Sequence, residues 1–196
     1  MELVSRVGAT QYYTATSLDG YIADENNSLD WLFEVDRGGD SGEQSFAAFF
    51  GDVGAMAMGA TTYEWVLDHE RVLDDPDKWR GWYGDTPCWV FTHRTAPTVP
   101  GANIFFVEGD AAPVHEQMAE AAGGKNIWLV GGGELVGQFA DRQLLDEIIV
   151  GVAPVTLGRG APLLPRRLMA ARLELVDVSR DRQFARLTYR VRRLTE

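Results

Sequence analysis

The sequence predicts an α/β fold in one domain, residues 1–196, with a mixed, mainly parallel sheet flanked by helices on both faces. Short apolar runs alternate with helical patterns between residues 53 and 140, and this alternation implies crossover connections and parallel strands. Beyond residue 172, two strand patterns follow each other with no helix between them, which implies an antiparallel edge. A chain of 196 residues is long enough to bury a core and short enough for one domain.

The N-terminal elements begin with a β-rich segment, TQYYTATS, which ends at a turn formed by the DG pair of LDGYIA. The segments NNSLDWL, which carries Trp31, and DRGGDSGEQ are polar or rich in glycine and predict loops. A helix is predicted from Glu43, with Ser41 as its cap, because apolar residues follow at helical spacing: Phe46, Phe49, Phe50 and Val53.

The middle of the chain alternates more regularly. VGAMAMG predicts a buried strand, and Thr61 or Thr62 starts the helix ATTYEWVLDH, while DDPDKWRGWYGDTP predicts a loop that carries aromatic residues. CWVFT, IFFVEG and NIWLV predict strands, and GELVGQFAD predicts a helix. The helix DAAPVHEQMAEAAGG has Asp110 as a cap and Gly123 just past its end. A strand in LLDEIIVGVAPV, a loop in TLGRGAPLLP and two further strands complete the chain.

Composition excludes several classes of protein. The net charge of −11 is unlike the basic face of a nucleic-acid binder, and the arginines of RDRQFARLTYRVRR alternate with apolar residues, which favours a strand with a charged face. No apolar run is long enough for a membrane span, and the N-terminus lacks the pattern of a secretory signal. One cysteine and three scattered histidines predict neither a disulfide framework nor a metal site. We therefore expect a cytoplasmic protein without nucleic-acid or membrane partners.

One strand end suggests a binding site directly. Gly131, Gly132 and Gly133 stand between the strand NIWLV and the helix that follows. Glycine lets a backbone approach a ligand, and the start of a helix offers free N–H groups and the positive end of its dipole, which together suit a pyrophosphate. A tight turn without a ligand is the alternative. We expect Glu134 to point outward, because its charge would repel a phosphate.

Two other strand ends share this layout. Gly59 precedes a helix whose Thr61 and Thr62 offer hydroxyl and N–H groups to a second phosphate, although a capped helix explains them too. The third strand is followed by the residues Thr92, His93 and Arg94. A guanidinium binds a phosphate monoester through two hydrogen bonds, although a solvated loop is the alternative. Three such ends in one sheet favour a dinucleotide site.

Several of these motifs together resemble a known family. TATSLDGYIA, SLDWL, AMGATTYEWV, VFTHR and the segment from WLVGGGELVGQF to TLGRGAPLLP are similar to the dihydrofolate-reductase fold, and most of all to the C-terminal reductase domain of the bifunctional riboflavin-biosynthesis deaminase/reductase and its stand-alone relatives. The resemblance covers nearly the whole chain in the same order. It implies NADPH as the hydride donor, a small-molecule substrate and a homodimer.

The resemblance also implies roles for individual residues. The glycine block with Glu134 and Leu135 corresponds to the segment against the pyrophosphate and the nicotinamide ribose, and Ala15 and Ile22 correspond to positions that flank the nicotinamide. Residues 59–62 and 92–94 correspond to the second phosphate site and to the loop at the adenosine 2′-phosphate. Trp31 corresponds to the aromatic residue of a mobile loop beside the nicotinamide.

The chain departs from the family pattern at two positions. Ala60 stands where the family often has a basic residue that binds the 2′-phosphate, so that NADPH preference would depend mainly on Arg94 and NADH becomes an alternative donor. Tyr21 stands where riboflavin-type reductases tend to have a basic residue after the DG pair, which weakens the case for a phosphorylated ribityl substrate.

The proton donor is the least defined part of the site. Glu43 lies at an offset from Gly59 similar to that of the family's buried carboxylate, and burial beside Phe46 would raise the pKa of its carboxyl and suit it to donate a proton. A solvated glutamate in a first helical turn is the alternative. Asp19 is a second candidate, although aspartates are common in such turns. We expect Asp19, Trp31 and Phe46 to contact the substrate.

The sequence therefore predicts an NAD(P)H-dependent reductase that transfers a hydride to a small heterocyclic or carbonyl substrate. A binding module without turnover remains an alternative, because the catalytic acid is not secure. A true dihydrofolate reductase is a third hypothesis, and the long polar loop after SLDWL speaks against it.

Overall fold

The computed structural model describes residues 8–35 and 40–193, with residues 40–44 described by their backbone alone. Its strands are β1 (Thr10–Thr16), β2 (Tyr21–Ala23), β3 (Val53–Gly59), β4 (Cys88–Phe91), β5 (Ile104–Val107), β6 (Asn126–Gly131), β7 (Glu147–Val152), β8 (Ala161–Pro162), β9 (Leu173–Asp181) and β10 (Phe184–Val191). Its helices are α1 (Asp30–Glu34), α2 (Asp40–Gly51), α3 (Ala60–His69), α4 (Asp77–Tyr83), α5 (Ala111–Ala122) and α6 (Gly133–Asp141).

Eight strands form one sheet in the order β5-β4-β3-β6-β1-β7-β10-β9, and β2 pairs with β8 in a separate small sheet. The strands from β5 to β7 run parallel to their neighbours, whereas β10 is antiparallel to both β7 and β9. The strands at the C-terminal edge follow each other as a hairpin and need no crossover. The predicted fold class is therefore confirmed.

Helices cover both faces of this sheet because successive residues of the inner strands point to opposite sides. On β3, Ala55 and Ala57 pack in the core beneath α5 and α6, which includes Met118 and Phe139. Met56 and Met58 face the other core, where α3 and α4 contribute Tyr63 and Trp79 and where α2 packs its phenylalanines. Both faces of the central strands are thus buried, as their continuous apolar sequences require.

The N-terminal cap of α5 is the one that the sequence predicts, whereas that of α3 is not. Asp110 caps α5 by accepting a hydrogen bond of 3.0 Å from the N–H of Ala112, and Gly123 ends the helix in the left-handed conformation. Helix α3, in contrast, has Gly59 at its N-cap and no capping side chain. The expectation that a threonine starts this helix is therefore wrong, since the backbone itself turns into the helix at the end of β3.

Two segments predicted as loops contain short helices. Trp31 lies in α1 and is 6% exposed, and Trp79 lies in α4 and is 1% exposed. The polar residues around both tryptophans suggested loops, but one turn of helix is enough to bury a single large ring. The ring of His115 on α5 is half-buried and shares a hydrogen bond of 2.8 Å with the Thr10 hydroxyl of β1.

Candidate cofactor site

The three strand ends that the sequence singles out lie side by side in the sheet. Phe91 at the end of β4 is opposite Gly59 at the end of β3, and Met58 is opposite Gly131 at the end of β6. Strand β1 follows next in the sheet. Four adjacent parallel strands therefore end along one edge, over about 14 Å at the usual spacing between strands. An extended dinucleotide lying across this edge would meet each end in turn.

Each glycine of the 131–133 block has a different physical reason to be there. Gly131 has a φ of +144°, which side chains rarely adopt. A Cβ atom on Gly132 would meet only the Cδ1 atom of Ile22, at 3.9 Å. A Cβ atom on Gly133 would lie 2.4 Å from the carbonyl oxygen of Pro162, so this glycine lets β8 pack on the start of α6. Gly131 therefore turns the chain, Gly132 leaves an open backbone surface and Gly133 allows β8 to pack closely on α6.

Two helix starts converge on this open surface. Helix α3 begins directly after Gly59, and a Cβ atom there would lie 3.7 Å from the backbone nitrogen of Gly132. The Thr62 hydroxyl lies 3.7 Å from the Cβ position of Gly131, whereas Thr61 is exposed. The first N–H groups of a helix have no partner within it, so two sets of donors and two positive dipole ends point towards the same cleft.

Glu134 points away from this cleft. Its two carboxylate oxygens accept hydrogen bonds of 2.7 and 3.0 Å from the guanidinium of Arg166, which also donates one of 2.8 Å to Asp141. The hydrogen bond from Arg166 holds the pKa of the Glu134 carboxyl below its usual range. Leu135, the next residue, is buried in the core at the start of α6. The negative charge therefore does not face the place expected for a phosphate.

The end of the cleft at β4 contains a cavity of about 230 Å³, lined by Gly59, Phe91, Thr92, His93, Glu108 and Leu135 among others. His93 Nδ1 lies 3.5 Å from a Glu108 carboxylate oxygen, and Arg94 Nη2 lies 3.0 Å from Glu64. The Thr92 hydroxyl donates a hydrogen bond to the carbonyl oxygen of Arg94 and accepts one from its N–H group. Both side chains proposed for the adenosine end, His93 and Arg94, therefore already have a carboxylate beside them.

The other end of the cleft is formed by β1 and β2. Ala15 is half-buried on β1, and Ile22 on β2 points its side chain towards Gly132. The small second sheet holds Ile22 in place, because Tyr21 and Ala23 pair with β8. The structure thus brings Ile22 and the glycine block together across the cleft, with Ala15 on an adjacent strand.

Two of the residues predicted to contact the substrate are packed into the protein. Trp31 is buried with Val35 and Ala153, and its indole N–H has no acceptor among the described residues. Phe46 of α2 lies edge-on to Trp128 with ring centroids 5.5 Å apart. Both contribute to packing on the face of the sheet that carries Ala15.

Asp19 holds a turn. Its carboxylate accepts hydrogen bonds from the Ser17 hydroxyl at 2.6 Å and from the N–H groups of Leu157 and Gly158 at 3.0 and 2.7 Å. The Ser17 hydroxyl, followed by these backbone donors, lowers the pKa of the carboxyl. An anion stabilised in this way is a poor proton donor. The predicted catalytic residue, Glu43, has its backbone in α2, and its side chain lies outside the described residues.

The carboxylates beside Arg94 and His93 could not be found from the sequence. Glu64 and Glu108 come from α3 and from the loop after β5, far along the chain from the residues they contact. No local spacing marks such pairs, since only the order of strands in the sheet brings them together.

The described part of the chain has neither a cluster of metal ligands nor a helix that could span a membrane. Its side chains form no cluster of three or more histidine, cysteine or acidic residues suited to a metal ion. Within the described ranges, no helix has the length and apolar content needed to cross a bilayer.

The chain is similar to known proteins in sequence and in fold. A protein of Bacillus subtilis (strain 168), YwjB, whose function is uncharacterised, is 34% identical over 180 residues, which is 92% of this chain and 96% of that protein. The crystal structure of a putative riboflavin biosynthesis protein from Shewanella sp. PV-4 superposes with a TM-score of 0.73 at 28% identity, over 94% of this chain and 99% of the other.

Two more comparisons concern the fold and the family. Dihydrofolate reductase from Enterococcus faecalis, solved with NADP(H), superposes with a TM-score of 0.56 at 15% identity, over 94% of this chain and 97% of that one, which shows a shared fold. The model of the RibD C-terminal domain matches residues 62–184. Those residues include two of the three strand ends and the whole glycine block, and on this match the chain belongs to the RibD C-terminal domain family.

Proposed function

We propose that the chain is an NAD(P)H-dependent oxidoreductase that transfers a hydride to a small heterocyclic or carbonyl substrate. The observation that carries the proposal is the convergence of two helix starts on the open backbone of Gly132, opposite Ile22. A nicotinamide cofactor supplies the hydride when bound, and the protein supplies the binding surface and the orientation.

The residues of the cleft fit such a cofactor. The N–H groups at the starts of α3 and α6, with the Thr62 hydroxyl, would hold the pyrophosphate, since Gly59 and Gly132 carry no side chain and are partly exposed. Ala15 and Ile22 would flank the nicotinamide. Thr92, His93 and Arg94 would meet the adenosine end, in the cavity at β4.

The choice between NADPH and NADH depends on the adenosine end. NADPH is the donor expected for this family, and Arg94 is the guanidinium available to its 2′-phosphate. Glu64 beside Arg94 and Glu108 beside His93 reduce the positive charge there, and Ala60 adds none. We therefore propose NADPH as the preferred donor. Its preference over NADH should be smaller than in a fully basic pocket.

Titration of the purified protein with each cofactor, followed by tryptophan fluorescence, tests the binding step. Dissociation constants in the micromolar range for NADPH support the proposal, and failure of both cofactors to bind below millimolar concentration contradicts it. Cofactor oxidation is then measured with pterins, pyrimidines and quinones as hydride acceptors. Measurable turnover with any of these separates a reductase from the alternative, a cofactor-binding module without turnover.

That alternative follows from the proton donor. Asp19 is held as an anion by the turn at Leu157 and Gly158, and Glu43 stays a prediction. Turnover of dihydrofolate, measured with and without an antifolate, tests the third hypothesis, a true dihydrofolate reductase. In either reductase, exchange of Glu43 for glutamine should lower kcat most strongly at high pH, because solvent protons are then scarce.

A homodimer is the second part of the proposal. Strand β9 is an edge of the eight-stranded sheet, and it exposes Leu175, Val176 and Val178 by 52, 47 and 60%. An edge strand of nine residues with apolar side chains on both faces is prone to pair with another chain. Light scattering should give the mass of a dimer for the wild type and of a monomer for Val178→Glu. A monomeric wild type would contradict this part of the proposal alone.

A further inference from the structure

Three residues form a row across the strands at the end of the cleft. Arg186 on β10 is opposite Gly151 on β7, which in turn is opposite Ala15 on β1. Residues directly opposite each other on neighbouring strands point to the same face of a sheet. The Arg186 side chain therefore shares its face with Ala15, the residue proposed to flank the nicotinamide.

This face is the one covered by α1 and α2. Tyr13, two residues before Ala15, stacks on Phe49 of α2 with ring centroids 4.3 Å apart. Ala15 and Gly151 carry little or no side chain, while their neighbours Tyr13 and Phe184 are large. The Phe184 side chain packs against Gly151, with its Cδ1 atom 3.5 Å from the place where a Cβ atom of Gly151 would stand. The half-buried Ala15 is the small residue at the other end of this row.

The Arg186 guanidinium is held on this face of the sheet by two contacts. Its Cζ atom is 5.2 Å from the centre of the Tyr13 ring, and its Nη1 atom donates a hydrogen bond of 2.7 Å to the Ser45 hydroxyl of α2. These contacts tie the end of the side chain to β1 and to α2. The guanidinium has five N–H donors, so that most of its hydrogen-bonding capacity remains after the Ser45 contact.

Arg186 differs from the neighbouring arginines in its ion pairing. Arg190 and Arg192 on the same segment both form ion pairs with Glu174, and Arg193 forms one with Asp146. Among the side chains that the structure describes, no carboxylate forms an ion pair with Arg186, although the chain carries 29 acidic residues. A half-buried cation is costly without an anionic partner, and a ligand can supply one.

We propose that Arg186 binds a carboxylate of the substrate, so that the site takes a small molecule bearing a carboxylate. The carboxylate would accept two hydrogen bonds from the guanidinium, on the face of the sheet that carries Ala15. This rests on the proposed function for the identity of the site, but the contact between Arg186 and an anion does not need hydride transfer.

Two pairs of probes test the proposal: pterin-6-carboxylate against pterin, and orotate against uracil. Each pair differs in the carboxylate while keeping the ring. We expect each carboxylate to bind the wild type about 10- to 100-fold more tightly than its neutral partner, as charge-assisted hydrogen bonds predict. Calorimetry with and without saturating NADPH gives the dissociation constants.

Three variants complete the test. Arg186→Gln should abolish the difference within each pair and leave NADPH affinity unchanged, and Arg186→Lys should keep part of the difference. Arg190→Gln is the matched control, because it removes an arginine of the same strand that pairs with Glu174. It should leave all probe affinities unchanged.

The outcomes separate this proposal from the proposed function. Equal binding of both members of each pair to the wild type would overturn it, and so would a carboxylate preference that survives Arg186→Gln. If the glutamine variant does not fold, the lysine variant and Ser45→Ala decide, since both retain the charge and should each weaken carboxylate binding by a smaller factor. A carboxylate preference in a protein that binds neither NADPH nor NADH would retain the Arg186 assignment and reject the reductase.

Discussion

The backbone of Gly132 faces the side chain of Ile22, and among the residues that the structure describes no other atom outside the adjoining ones lies within 4 Å of the place where a Cβ atom would stand. The φ of Gly132 is −81°, which any residue adopts. A side chain here would thus project into the proposed cofactor cleft and not into the core. The glycine is explained by the close approach of a ligand better than by the fold.

Replacement of Gly132 by valine should therefore remove cofactor binding and keep the fold. We expect NADPH affinity to fall by at least about 10-fold, because the branched side chain occupies the space between the backbone and Ile22. The melting temperature should change by no more than about 3 °C, as at other sites without internal contacts. Fluorescence titration and thermal unfolding measure the two effects.

Gly133→Val is the matched control for this variant. Its Cβ atom would lie 2.4 Å from the Pro162 carbonyl oxygen and 2.5 Å from that of Leu163. This variant should lose stability, since β8 has to move away from α6. Unchanged NADPH binding by a folded Gly132→Val protein would show that the cofactor does not cross the glycine block.

A second prediction concerns the charges at the adenosine end. Glu64 faces Arg94 with both carboxylate oxygens at 3.0 Å from the Nη2 atom, so that a 2′-phosphate has to compete with it. Glu64→Gln should raise the affinity for NADPH by about 3- to 10-fold and leave that for NADH nearly unchanged, because NADH lacks the phosphate. Arg94→Ala should weaken the binding of NADPH more than the binding of NADH.

The ratio of the two dissociation constants is the measurement in both variants. Glu174→Gln, which removes a carboxylate from the distant β9, serves as the control and should leave the ratio unchanged. Equal changes for NADPH and NADH in Arg94→Ala would place this guanidinium away from the 2′-phosphate. If Glu64→Gln lowers the ratio of the NADPH to the NADH dissociation constant at low salt but not at high salt, the effect of the Glu64 charge is screened by salt, as expected for exposed groups.

The sequence was informative where the cause of a structure is local. Glycines at strand ends, the cap at Asp110 and the alternating strands of the C-terminal segment each depend on a few consecutive residues. The alternation of strands and helices gave the sheet for the same reason. The motif at residues 131–133 marked the cleft, although only the structure shows that Gly133 is there to let β8 approach.

What the sequence did not reveal depends on distant contacts. The pair of Arg94 and Glu64 is separated by 30 residues, and the contact between Arg186 and Ser45 by 141. Neither residue of such a pair has a neighbour in sequence that marks it as functional. The burial of Trp31 was not foreseen for a related reason, since Trp31 packs against Ala153, the residue that follows β7.

A third prediction separates a structural role of Asp19 from a catalytic one. Asp19→Asn retains the shape of the side chain but replaces one acceptor oxygen of the turn at Leu157 and Gly158 by a donor. We expect a lower melting temperature at neutral pH and an unchanged pH profile of kcat. The pKa of Asp19 is lowered in the folded protein, so its stabilising effect is present above about pH 4 and is lost as the pH falls through the lowered pKa.

The difference in melting temperature between wild type and Asp19→Asn should accordingly shrink below about pH 4. A shift of the kcat profile in this variant, with stability unchanged, would instead identify Asp19 as a proton donor. Ser17→Ala is a useful partner variant, because the Ser17 hydroxyl is the first contributor to the lowered pKa. Ser17→Ala should raise the pKa of Asp19 and, like Asp19→Asn, lower the melting temperature at neutral pH.

The last prediction concerns His115, which joins α5 to β1. Its ring is half-buried, shares a hydrogen bond of 2.8 Å with the Thr10 hydroxyl and lies edge-on to Phe139. Burial lowers the pKa of the imidazole in the folded protein, with Arg193 acting in the same direction and Asp146 opposing both. The folded state therefore binds fewer protons than the unfolded state, and the stabilising effect is complete above the pKa of the unfolded state, about 6.5.

The free energy of unfolding should consequently decrease as the pH falls from 7 towards 5, through protonation of His115 in the unfolded state. His115→Gln should be less stable at pH 7 but should lose less stability over this range, because glutamine still bonds to Thr10 and does not titrate. Urea unfolding at several pH values measures both slopes. An equal slope in His115→Gln would assign the pH dependence to other groups.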